Sequence, residues 1–110
     1  GRDEAAQRVI DDAKAVQDAG AFAIVLEMVP AALARKISQE LEIPTIGIGA
    51  GNGTDGQILV WTDFAGLSDG RQFKFVKKYA DLYGVLSEAA ANYRDDVLSG
   101  TFPAEEHSFE

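Results

Sequence analysis

One carboxylate stands where an acid or base would be useful. Glu27 directly follows the apolar run Ala21–Leu26 and precedes Met28-Val29-Pro30. The run is short and continuous, which suits a strand buried on both faces of a parallel sheet. In parallel α/β folds and barrels, the C-terminal ends of strands carry the active site. A carboxylate there, among Leu26, Met28 and Val29, is expected to be partly desolvated. Desolvation penalises the charged form and moves its affinity for protons toward the range of a general base. The plain alternative is a carboxylate that caps the helix beginning near Pro30.

A second group of interest is Ile46-Gly47-Ile48-Gly49-Ala50-Gly51, followed by Asn52-Gly53-Thr54-Asp55-Gly56. Glycine-rich loops at strand ends can cradle phosphate with backbone N–H groups. No Gly-Lys-Ser/Thr follows, so this is not a Walker A loop. The next element reads as a strand, which also argues against a dinucleotide fingerprint. Close packing at the rim of a sheet, followed by a turn, is the simpler reading. Asp55 could be a metal ligand, but an Asp-Gly pair is more often a turn. Asp63 and Asp69 lie in turn-rich sequence and are read the same way. His107 is the only histidine. A single histidine without spaced partners is no zinc site, and a tail or subunit contact is expected. Trp61, Phe64, Phe73 and Phe75 are read as core or interface, and Lys74, Lys77 and Lys78 as a solvated helix face. There is no nucleophile elbow and no Ser/His/Asp set.

The elements that must position these residues follow from periodicity. Asp3 suits a helix cap, and Ala6, Val9, Ile10, Ala13 and Val16 form one apolar face that stops at Gly20. The strand Ala21–Leu26 comes next. Pro30 opens a second helix striped by Leu33, Ile37 and Leu41, ending at Glu42-Ile43-Pro44. Thr45–Ile48 is a second strand and Gln57–Trp61 a third, with Ile58 and Val60 on one face and Leu59 and Trp61 on the other. Phe73, Val76, Tyr79, Ala80 and Tyr83 suit a helix ending near Gly84. Leu86, Ala89, Ala90, Tyr93 and Val97 suit another ending near Gly100. Residues 101–110 are polar and aperiodic. Strands alternating with helices predict βαβ units and a parallel sheet. Three strands cannot close a barrel, so the chain reads as one partial α/β domain over 1–110, with open strand edges.

Length and composition set outer bounds. The 110 residues suffice for one small core. An apolar share of 46% and a charged share of 25% are ordinary for a globular protein. A formal net charge of −8 argues against nucleic acid or an anionic membrane as partner. It also means that an anionic substrate would need a cation from elsewhere. No cysteine is present, which excludes disulfides and thiolate metal sites and is compatible with the cytoplasm. The longest apolar run is too short to span a bilayer. The charged opening Gly1–Gln7 is not a signal peptide and reads like an excised, processed or engineered boundary.

Three blocks are recognisable together. They are Gly20-Ala21-Phe22-Ala23-Ile24-Val25-Leu26-Glu27-Met28-Val29-Pro30; Ile43-Pro44-Thr45-Ile46-Gly47-Ile48-Gly49-Ala50-Gly51 followed by Asp55-Gly56-Gln57-Ile58-Leu59-Val60; and Phe102-Pro103-Ala104-Glu105-Glu106-His107-Ser108-Phe109. In this order and spacing they resemble the ketopantoate hydroxymethyltransferases. The resemblance implies a TIM (β/α)8 barrel, of which this chain would be strands six to eight with the C-terminal helices and tail. It implies transfer of a hydroxymethyl group from 5,10-methylenetetrahydrofolate to 3-methyl-2-oxobutanoate, giving 2-dehydropantoate for pantothenate. It implies Mg²⁺, with ligands in strands this chain lacks, and a cytoplasmic homo-oligomer, often a decamer. The family's catalytic base falls on Glu27, and its apolar lining of the ketoacid pocket on Ile48, Ile58 and Val60. The isolated chain is expected to be inactive unless the N-terminal part of the barrel joins it as another chain. Two other readings stay open. One is a non-catalytic fragment or assembly module that pairs with a complementary chain. The other is a different α/β barrel enzyme that binds a phosphorylated substrate at the loop near Gly49, against which the lack of a nearby Lys or Arg counts.

Overall fold

The computed structural model describes residues 1–110, which form two compact units, Gly1–Leu59 and Val60–Glu110. In the first unit, α1 (Arg2–Asp18) is followed by β1 (Ile24–Glu27), α2 (Ala31–Glu40), β2 (Thr45–Ile48) and β3 (Gly56–Gln57). The three strands pair in the order β1-β2-β3, and both pairings are parallel. The α/β class expected from the alternating pattern is therefore present.

The apolar stripe of α1 points Ile10 and Ala13 into the core, where they are buried. The helix starts at Arg2, ahead of the expected cap at Asp3. Asp3 and Glu4 instead occupy its first turn, where negative charge complements the helix dipole. The C-terminal end of α1 is tied to the link between α2 and β2. Gln17 Oε1 accepts from the Glu42 and Ile43 N–H groups at 2.6 and 3.1 Å. Pro30 stands at the N-cap of α2. The helix buries Ala34 and Ile37, with Leu41 just beyond its end. These residues close over Leu26 and Ala50 to complete the core.

Three strand expectations are corrected. β1 begins at Ile24 rather than Ala21, because its ladder starts only where β2 supplies a partner: the Ile24 N–H donates to the Pro44 carbonyl at 3.0 Å. Phe22 is left 90% exposed. β1 is also not covered on both faces. Leu26 is buried beneath the helices, while Val25 and Glu27 on the opposite face are exposed. The third strand, expected over Gln57–Trp61, is only Gly56–Gln57.

The second unit holds α3 (Trp61–Phe64), α4 (Leu82–Ser99) and a short 3-10 turn at Glu105–His107. Trp61 therefore opens a helical turn, not the end of a strand. The helix expected from Phe73 to Gly84 is absent as well. Residues 73–81 instead hold a turn at Lys74-Phe75 and no helix, and N–H groups of this stretch and of the start of α4 go to the end of α3 and the residues just after it. Tyr79 donates to the Phe64 carbonyl, Leu82 to Ala65 and Tyr83 to Gly66, at 2.7, 3.0 and 2.8 Å. Gly66 has φ +68, and a Cβ on it would collide with the Ala80 carbonyl oxygen. Only glycine permits this close pass. Asp81 caps α4 by accepting from the Gly84 N–H at 3.2 Å. The glycine expected to end a helix thus lies in the first turn of one. α4 ends at Gly100 as expected.

Candidate active site

Glu27 is the last residue of β1 and pairs with Ile48, the last residue of β2. Partners side by side in a parallel ladder point to the same face. The β2–β3 register pairs Ile46 with Gly56 and Gly47 with Gln57. Its continuation sets Ile58 beside Ile48, where the Ile58 N–H donates to the Gly47 carbonyl at 3.0 Å. Glu27, Ile48 and Ile58 thus form one row at the C-terminal end of the sheet. They share the face that α1 and α2 leave open.

The sequence-predicted site residues do not all lie on one element. Glu27, Ile48 and Ile58 come together. Val60 does not extend the row along β3, because the strand ends at Gln57. Val60 is instead the N-cap of α3 in the second unit. The expected desolvation of Glu27 is also absent: the residue is exposed. Leu26 points to the far side of the sheet, and Met28 is 65% exposed, so neither screens the carboxylate from water.

Met28 carries a feature that spacing did not reveal. Its φ is +53, and it is the only non-glycine residue of the chain with a positive φ. For an L-residue this region costs about 1–2 kcal/mol. Its N–H donates to the Ile48 carbonyl at 2.9 Å, extending the ladder one step past Glu27.

The glycine loop is packed from outside. Gly49 and Gly51 have φ +65 and +75. A Cβ on Gly51 would sit 2.5 Å from that of Ala31, so the loop lies directly against the start of α2. Arg35 reaches the loop from α2, although no basic residue is near it in sequence. Its guanidinium donates to Asn52 Oδ1 at 3.1 Å and its side chain lies against Gly53. The cation is engaged by the loop's own amide.

Asp55 is neither a free turn residue nor part of the row. Its Oδ2 accepts from the N–H and the hydroxyl of Thr45 at 2.8 and 3.1 Å. Thr45 opens β2, so this clamp lies at the opposite end of the sheet from Glu27. No group of three or more His, Asp or Glu residues comes together to hold a metal ion.

In the second unit, Asp63, Ser68, Asp69, Arg71, Lys78 and Tyr83 line a cleft of about 300 Å³. Asp69 raises the Tyr83 phenol above the usual tyrosine range, first as acceptor of its hydrogen bond and then by its charge. Two carboxylates and two cations give the cleft no net charge with which to attract an ion. His107 is not the end of a loose tail. Its Nδ1 accepts from the Ala104 N–H at 3.1 Å, and its ring lies tilted at 47° to Phe102 with centroids 5.0 Å apart, Phe102 itself being 5.7 Å from Tyr93 on α4. No helix is long and apolar enough to cross a membrane.

Residues 1–105 match the family model described as ketopantoate hydroxymethyltransferase. Among curated relatives, the 3-methyl-2-oxobutanoate hydroxymethyltransferase of Leifsonia xyli is 62% identical over 109 residues, covering 99% of this chain and 39% of that protein. The enzyme of the same name from Streptomyces coelicolor is 63% identical over 106 residues, covering 96% of this chain and 36% of that protein. That from Paenarthrobacter aurescens is 59% identical over 109 residues, covering 99% and 36%. The chain thus spans between 36% and 39% of the length of these relatives. With a match along nearly its whole length, the chain belongs to the ketopantoate hydroxymethyltransferase family.

Proposed function

We propose that this chain supplies the catalytic base of a 3-methyl-2-oxobutanoate hydroxymethyltransferase. The complete protein would make 2-dehydropantoate, for pantothenate, from 3-methyl-2-oxobutanoate and 5,10-methylenetetrahydrofolate. Residues 1–110 would be one partial domain, strands six to eight of a TIM barrel with the C-terminal helices and tail. The observation that carries this reading is the row Glu27–Ile48–Ile58, at the C-terminal end of a parallel sheet, on the face the helices do not cover. In a barrel that face points inward, and that end carries the chemistry.

In this reading Ile48 and Ile58 hold the branched alkyl end of the ketoacid beside the carboxylate. Val60 would join them once the barrel closes. Glu27 takes the proton from C3. The C–H electron pair passes into the enolate, whose C3 attacks the methylene carbon of the folate. One methylene C–N bond breaks as the new C–C bond forms. Water then takes the place of the remaining folate nitrogen, which leaves the hydroxymethyl group on the product and releases tetrahydrofolate. An exposed carboxylate is a weak base toward carbon, so the cover that desolvates Glu27 would come from the rest of the protein. The family's magnesium would likewise find its ligands outside this chain. A cytoplasmic homo-oligomer is part of the same proposal. Glu27→Gln in the full-length protein should lower turnover by about 10²–10⁴-fold, the usual worth of a positioned base. Proton exchange at C3, followed by NMR without folate, reads this step alone. Exchange at the unsubstituted rate in the Gln variant would remove Glu27 from the role.

A further inference from the structure

We propose that Met28 is a positioning residue for Glu27: its left-handed backbone fixes the direction in which the strand end presents the carboxylate. This rests on the reading of Glu27 as the base. Met28 is the chain's one non-glycine residue with positive φ, at +53. A side chain in that region is crowded by the following carbonyl, whereas glycine is not. Packing within the unit does not compensate, since the side chain is 65% exposed. What holds the conformation is the backbone on either side. On one side, the Met28 N–H is bonded to the Ile48 carbonyl at 2.9 Å, which ties it to the same row as Glu27. On the other, Pro30 restricts Val29 to extended angles. Only Met28, Val29 and Pro30 separate β1 from α2. A connection this short, bonded at one end and proline-bound at the other, leaves little room for a second path. Within this chain Glu27 is exposed, so among residues 1–110 it is this backbone, and not side chains packed around it, that directs the carboxylate.

The test compares substitutions in the full-length protein by their tolerance of positive φ. Glycine adopts it freely, whereas a β-branched residue there is an outlier. C3 proton exchange should be about tenfold or more slower in Met28→Val than in Met28→Gly, because a small misplacement of a reacting group is costly. The loss should appear in kcat, with the KM for the ketoacid changed by less than about threefold, because ground-state binding is not what the turn controls. Equal exchange in the two variants would overturn the proposal. So would a Gly variant as slow as the Val variant, which would assign the effect to the lost side chain. If Met28→Val does not fold, Met28→Asn and Met28→Ala carry the same comparison. Asn tolerates the left-handed region better than Ala, so exchange should be faster with Asn, and equal rates would again overturn the idea. Glu27→Gln in the same assay separates the two claims. If it leaves exchange intact, the base assignment falls, and this proposal with it. If it abolishes exchange while the Val and Gly variants match, only the role of Met28 falls.

Discussion

Thr45 has no exposed surface, yet it brings a hydroxyl and a backbone N–H into the interior. One carboxylate oxygen, Asp55 Oδ2, accepts from both, and the Thr45 hydroxyl also lies 2.7 Å from that of Ser38 on α2. The Asp55 N–H in turn donates to the Thr45 hydroxyl at 3.2 Å. This closed set fastens the glycine-rich loop to the start of β2. Asp55→Ala would leave the buried Thr45 N–H without its acceptor, while the hydroxyl keeps Ser38 Oγ, at a cost of about 1–3 kcal/mol. The urea midpoint of the chain should fall accordingly, and an unchanged midpoint would mean that the clamp is dispensable. No sequence pattern announces such a clamp, because its partners are ten residues apart and joined only by the fold. The position of Glu27 was legible for the opposite reason: a carboxylate directly after a short apolar run marks a strand end without long-range information. Its exposure was not legible, since burial depends on what covers the face and not on the neighbours in sequence. The left-handed turn at Met28 was hidden too, because methionine is not a residue that signals positive φ.

At the scale of elements, the first unit reads well and the second poorly. α1, α2 and β2 have strong periodicity or clear punctuation and lie close to where the spacing puts them. β3 and the segment before α4 depart from what their spacing predicts because other groups take their hydrogen bonds. The alternation from Gln57 to Trp61 looks like a strand, but the ladder to β2 ends near Ile58 and Trp61 turns into α3. The apolar spacing from Phe73 to Tyr83 looks like a helix, but Tyr79, Leu82 and Tyr83 donate to the carbonyls of Phe64, Ala65 and Gly66. Asp81 then sets the true start of α4, accepting from the Gly84 N–H, while Lys78 Nζ stands 3.7 Å from its Oδ1. Asp81→Ala should destabilise this unit by about 0.5–2 kcal/mol through the lost cap. Asp81→Ser should recover most of that, as a capping residue without the charge. Far-UV circular dichroism during thermal unfolding would check it. Equal melting of the Ala and Ser variants would show that the cap does not set the helix start.

At the scale of the whole molecule, the open face of the sheet decides between readings. Val25 is 54% and Ile58 49% exposed, and Ile46 and Ile48 are half-buried on the same side as Glu27. Parallel sheets almost always have both faces covered, and the relatives are more than twice as long as this chain. If that face becomes the inside of a barrel, its residues have two different environments in two contexts. Val25→Asp tests this directly. In the isolated chain Val25 is largely in water, so the change should move the urea midpoint by no more than about 0.5 kcal/mol in stability, as for surface substitutions generally. In the full-length protein the same carboxylate would be buried without a partner. That should cost several kcal/mol, or leave the group protonated, with loss of folded protein. Parallel unfolding of the two forms, each with and without the substitution, reads the difference. Val25 lies two residues before Glu27 on the same face of β1, so the result bears equally on whether Glu27 acquires the dry surroundings a carbon base needs. Equal tolerance of Val25→Asp in both contexts would mean that this face stays in solvent in the complete protein. The barrel and the chemistry proposed for Glu27 would then fall together.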